Sequence, residues 1–142
     1  WAQTAAFIYG VPVRCFSGGA EATALNERAV RAIENNGFQI EAGEGENPLY
    51  QFRYASSADL IHAFSKVFDD KANKADGFAA VMTCDHADAN CPFIPGAEKR
   101  IPVMYDDPKA FDGTPQESEK YDERSRQIAS EMLYVFANIQ LK

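Results

Sequence analysis

The stretch "VMTCDHADANCPF", residues 81 to 93, holds two of the three cysteines of the chain, Cys84 and Cys91. Between them lies an acidic, small-residue segment that includes Asp85, His86 and Asp88, and Pro92 follows directly. Two thiols at this spacing could bind a metal, form a structural disulfide, carry redox chemistry or do none of these. A zinc site needs about four ligands, for which His86 and Asp88 could be conscripted. The usual close Cys spacing is about two to four residues and no second ligand cluster exists, which argues against zinc. Redox chemistry asks that the second thiol reach the first once it has been attacked, which this separation allows if the loop folds back. The plainer alternative is a buried Cys84 at a strand end and an incidental Cys91 in a loop, and bulk arguments alone favour it. Asp85 and Asp88 would raise the thiol pKa, which works against a reactive thiolate.

The second candidate is Asp107 in "YDDPKAF". A carboxylic acid at a strand end could protonate a leaving oxygen as a general acid; alternatively, Asp-Asp-Pro simply starts a turn. His62 and His86 stand alone and suit surface or capping roles. "CFSGGAE" at Cys15 resembles a phosphate-cradling cysteine loop, but the sixth residue after Cys15 is Glu21 rather than arginine. A carboxylate there would repel an oxyanion, so Cys15 reads as a buried strand residue.

These side chains need elements to place them. "VRCFSGG" (13 to 19) reads as a strand ending in a turn. "NERAVRAIENNGF" reads as a helix, with Val30, Ile33 and Phe38 apolar, Asn26 as its cap and Asn36-Gly37 as its end. Residues 41 to 58 read as a loop with a short hairpin or edge strand, in which Tyr50, Phe52 and Tyr54 alternate. "DLIHAFSKVFDD" reads as helical at its start. "GFAAVMTC" (77 to 84) and "RIPVMYDDP" (100 to 108) have the continuous apolar character of buried parallel strands. From Pro115 onward a long helix carries Ile128, Met132, Val135 and Ile139 at steps of four, three and four. Strands alternating with helices predict an α/β fold, a mostly parallel sheet with flanking helices. Such sheets place ligands at the carboxyl ends of their strands. Three loops fall there: Ser17-Gly18-Gly19, the Cys84 to Cys91 loop, and Asp106-Asp107-Pro108.

At 142 residues, with 46% hydrophobic and 25% charged residues, residues 1–142 are expected to form one soluble globular domain. The net charge of −7 disfavours nucleic acid as a partner. No apolar run approaches the roughly 18 residues of a membrane span. Three cysteines are too few for a disulfide-stapled secreted scaffold, so a cytoplasmic location is expected. The opening "WAQTAAFIYGV" reads as the last turns of an amphipathic helix with a glycine stop and no basic leader, the expectation being a truncated or processed chain.

Taken in order, these pieces resemble the low-molecular-weight protein tyrosine phosphatase superfamily, and within it the thioredoxin-coupled arsenate reductases. "FSGGAEATALNERAVRAIENNGFQI" looks like the strand, turn and helix of that family. "VMTCDHADANCPFIPGAEKR" looks like its Cys-x6-Cys segment, and "YDDPKAF" like its strand-end Asp-Pro. The likeness runs from residue 1 to about residue 140, with residues 41 to 58 as an insertion. It implies a flavodoxin-like topology, no cofactor and no metal. A small oxyanion or phosphorylated molecule would be the substrate, and a thioredoxin-type protein the reductant. Asp107 would be the general acid, Cys84 and Cys91 the redox pair. The nucleophilic Cys-x5-Arg loop and first strand of the family have no counterpart here, so the chain as given is expected to be inactive. Loss of an interior strand would expose sheet edges, which a segment-exchanged homodimer could fill. Outside the enzyme class, the same features suit a redox-sensing or partner-binding protein of this fold.

Overall fold

A computed structural model describes residues 1–74, 76–83 and 93–140. The first helix, α1 (Ala2–Ile8), ends before Gly10, whose φ of +65° suits glycine. The second, α2 (Glu27–Asn35), starts where sequence placed it: Asn26 Oδ1 accepts the Arg28 backbone N–H at 2.9 Å. It stops at Asn36, followed by Gly37 at φ +95°. The third, α3 (Glu117–Ala137), runs 21 residues along both others.

Strands β1 (Gln39–Ala42), β2 (Tyr50–Arg53) and β3 (Ile61–Ala63) form an antiparallel sheet in that order. Gln39 pairs with Arg53, and Phe52 with Ile61. Strands β4 (Phe78–Met82) and β5 (Ala97–Pro102) form a separate parallel pair. The α/β class holds, with helices flanking strands and one of the two sheets parallel.

Three local expectations are corrected. Residues 13 to 19 are not a strand. Gln3 takes the place of a ladder partner there, its Nε2 donating to Val13 O at 3.2 Å and its Oε1 accepting from Cys15 N at 2.8 Å. Val13 O and Cys15 N are thus satisfied without a neighbouring strand. Cys15 is half-buried and packs on the α1–α3 contact around Ala5, Ala6 and Phe136. Nor does residue 61 begin a helix: Ile61 and Ala63 alternate into the aromatic cluster of Phe38, Tyr50 and Phe52, and pairing with β2 overrides local propensity. On α3, the buried side chains are Tyr121, Ser125 and Phe136, while Val135 and Ile139 are exposed. The inward seam therefore departs from the expected stripe beyond Met132, which packs beside Phe136.

The expected hairpin in 41 to 58 is the β1–β2 pair. Its aromatic cluster extends to Trp1, whose ring meets Phe38 edge-on at 4.9 Å, and whose Nε1 donates to Ser125 Oγ at 3.0 Å. This joins the antiparallel sheet to α3. A smaller core of Ala80 and Met82 takes Phe68 and Ile94 against the parallel pair.

Candidate functional site

The parallel pair sets the geometry of the candidate rim. Beyond its last paired residues the ladder runs on through two backbone bonds: Val103 N to Met82 O at 2.9 Å and Tyr105 N to Thr83 O at 3.1 Å. Thr83 precedes Cys84 in sequence, and Tyr105 lies just before Asp106 and Asp107. The described backbone thus brings the carboxyl end of β4 beside the chain entering Asp107. Cys84, Asp85, His86, Asp88 and Cys91 lie outside the described residues.

Asp107 is exposed and occupies the cap of a single 3-10 turn, Pro108–Phe111. Its Oδ1 accepts from Lys109 N at 2.9 Å. Pro108 suits the first position of such a turn because it has no N–H to satisfy. One carboxylate oxygen is engaged in capping; Oδ2 has no partner among the described residues. The turn and the open acid reading are thus compatible. Neighbouring Asp106 is exposed and lies 3.6 Å from Arg124 Nη2.

The turn carrying Asp107 is fixed at both ends to α3. Upstream, the Tyr105 hydroxyl donates to Glu131 Oε2 at 2.7 Å, and Gln127 Nε2 donates to Oε1 of the same carboxylate at 2.9 Å. Burial, reinforced by this bond to a carboxylate, pushes the Tyr105 phenol up to about 12. Downstream, the hydroxyl of buried Tyr121 donates to Asp112 Oδ1 at 2.9 Å and accepts from Asn26 Nδ2 at 3.0 Å. Burial, then the Asp112 bond, raises the Tyr121 phenol as well. Glu117 completes this end, with Gly113 N donating to its Oε2 at 2.6 Å and Arg28 Nε at 2.8 Å from the same oxygen. The Gly113 bond and then Arg28 hold that carboxyl below its ordinary range. Sequence reading assigned Asn26 only a cap and gave Tyr105, Tyr121, Asp112 and Glu131 no role. Nothing in their local spacing pairs them.

The third expected rim loop has a packing role. Gly19 N donates to Lys66 O at 2.9 Å, Phe68 N donates to Gly19 O at 3.0 Å, and Asn73 Nδ2 reaches Ser17 O at 3.2 Å. A side chain at Gly18 would stand 2.5 Å from Phe68 Cα, so glycine is required by close approach of two backbones. Lys66 is buried, its ammonium 4.7 Å from the Phe64 ring centroid, and desolvation lowers its pKa. His62 is exposed on β3. Among the described residues, no three His, Cys, Asp or Glu side chains are grouped to hold a metal ion. Among them, too, no helix is long and apolar enough to cross a membrane.

No known family model matches the chain. Curated proteins do. An arsenate reductase of Brevibacillus brevis is 33% identical over 93 residues, 66% of this chain and 54% of that protein. One of Shouchella clausii is 33% identical over 102 residues, 72% of this chain and 58% of that protein. In sequence the chain is arsenate reductase-like. A third arsenate reductase, of Halalkalibacterium halodurans, is 26% identical over 122 residues, 86% of this chain and 73% of that protein. The chain spans a little over half the length of the first two relatives.

Proposed function

We propose that the chain is the redox-loop and general-acid portion of an arsenate reductase of the low-molecular-weight phosphatase type. The observation that carries this is the parallel register that sets Thr83, the residue before Cys84, against Tyr105 on the approach to Asp107. Similarity to three arsenate reductases supports the same reading.

In this reading a thiolate from a Cys-x5-Arg loop attacks arsenic in arsenate. Asp107 gives its proton to the departing oxygen, which leaves as water. The Cys84 thiolate then attacks the sulfur of the arsenic-bound cysteine. A disulfide forms, the S–As electron pair stays with arsenic, and arsenite leaves reduced by two electrons. Cys91 next attacks Cys84, expelling the loop thiolate and leaving a Cys84–Cys91 disulfide. A thioredoxin-type dithiol restores the pair.

None of Cys15, Cys84 and Cys91 is followed six positions later by arginine. The loop thiolate is therefore outside residues 1–142, and these residues alone are inactive. The test is to express the gene with its upstream coding region and assay arsenate reduction and phosphomonoester hydrolysis side by side. Reduction lost in Cys84→Ser and in Cys91→Ser supports the reading. Phosphate release that survives both substitutions, without reduction, replaces it with a phosphatase.

A further inference from the structure

We infer that Tyr105 and Tyr121 are positioning residues for Asp107, strapping its turn to α3 from both sides. The inference rests on the reading of Asp107 as the general acid. Asp107 is itself exposed, and its own side-chain bond, to Lys109 N, is local. A carboxylate so placed gains fixed orientation only from what holds its backbone. Tyr105 holds the upstream side twice, through its N–H on Thr83 O at 3.1 Å and its hydroxyl on Glu131 Oε2 at 2.7 Å. Asp112 holds the downstream side, its Oδ1 accepting from Tyr121 at 2.9 Å while its N–H donates to Lys109 O at 3.1 Å. Glu131 and Tyr121 sit about 15 Å apart along α3 at a helical rise of about 1.5 Å per residue. Two attachments that far apart fix the direction of the intervening turn as well as its position. Asn26 Nδ2 on the Tyr121 hydroxyl carries the second attachment to the start of α2. The Lys109 amide is the reporter, because it bonds the Asp107 carboxylate directly.

The experiment follows the Lys109 amide proton by NMR in the 142-residue chain while the carboxylates are titrated. In the wild type its shift moves over the acid titration. In Tyr105→Phe and Tyr121→Phe the amplitude is expected to fall by half or more, with the amides of central α3 unchanged. Tyr134→Phe, at an exposed ring, should leave it intact. Glu131→Gln and Asp112→Asn remove the same bonds from the acceptor side and stand in should a tyrosine variant not fold. An unchanged Lys109 amplitude in both tyrosine variants, or a loss shared by every amide, overturns the inference. Asp107→Asn in the upstream-extended protein tests the acid reading separately. Full activity there removes the chemical role of Asp107, whereas the Lys109 signature alone decides the strap.

Discussion

Tyr105 donates its phenolic hydrogen to Glu131 across 2.7 Å, fixing the chain that runs into Asp107 to the C-terminal half of α3. The bond has a pH signature. A phenol pushed up to about 12 in the folded state, against about 10 in the unfolded chain, binds its proton more tightly when folded. Its stabilisation is complete below pH ~10 and is lost as pH rises through ~12. Glu131 is shifted the other way, downward, chiefly by the same bond. Its contribution is present above the ordinary glutamate range and is lost on acidification. Tyr105→Phe should lower the melting temperature at neutral pH and flatten its alkaline decline, as thermal scans across pH would register.

Lys66 is a second titration handle of opposite sense. Burial lowers its folded pKa, so the folded state binds the proton less tightly than the unfolded state. The resulting penalty is full below the folded pKa and fades as pH rises toward the unfolded value. Lys66→Met keeps the volume and removes the buried charge. It is expected to raise the melting temperature by a few degrees at neutral pH, a gain that shrinks in alkaline buffer. A lower melting temperature would mean that the contact with the Phe64 ring outweighs desolvation.

Asn26 serves two elements, capping α2 through Oδ1 and reaching Tyr121 through Nδ2. Asn26→Ala should cost about 1–2 kcal/mol, the sum of a lost cap and a lost hydrogen bond. Urea denaturation should show a lower midpoint at unchanged slope.

Glycines 18 and 10 separate two reasons for the same residue. Gly18→Ala drives a methyl into the Phe68 backbone at 2.5 Å and should destabilise by about 1–3 kcal/mol. Gly10 at φ +65° has open space around it, so Gly10→Ala should cost only about 1–2 kcal/mol of backbone strain. Refolding of the two variants under matched conditions compares them, and the difference should vanish if Phe68 can move away.

Asp107→Asn in protein competent for arsenate reduction should lower the turnover rate about 100-fold or more, the usual worth of a general acid. Stability should change little, because an asparagine oxygen can still accept the Lys109 amide. Steady-state kinetics and a melting curve on the same sample tell these effects apart.

Much of this was legible along the chain. The α2 limits follow from Asn26 and from Asn36-Gly37, and the two apolar runs meet in the parallel pair. Strand β5, however, spans Ala97–Pro102 rather than 100 to 108 and is largely exposed rather than buried. At residues 13 to 19 reading failed because a distant side chain replaced a backbone neighbour, and at residue 61 because pairing with β2 overrode local propensity. Gln3 satisfies Val13 and Cys15 so that no strand is needed there. Asn47 does the same for Ser65, its Nδ2 donating to Ser65 O at 2.8 Å and its Oδ1 accepting from Ser65 N at 3.0 Å. Periodicity has no access to such substitutions, because an amide side chain mimics a peptide from anywhere in the chain.

By itself the sequence determined that an acid before proline ends an apolar run and caps a turn, because capping and proline geometry are local properties. Only the tertiary structure decided what holds that acid. The Tyr105–Glu131 bond spans 26 positions and the Asn26–Tyr121 bond 95. Directional bonds between these phenols and remote partners depend on how helices and strands pack, and packing is settled only when the whole chain has folded.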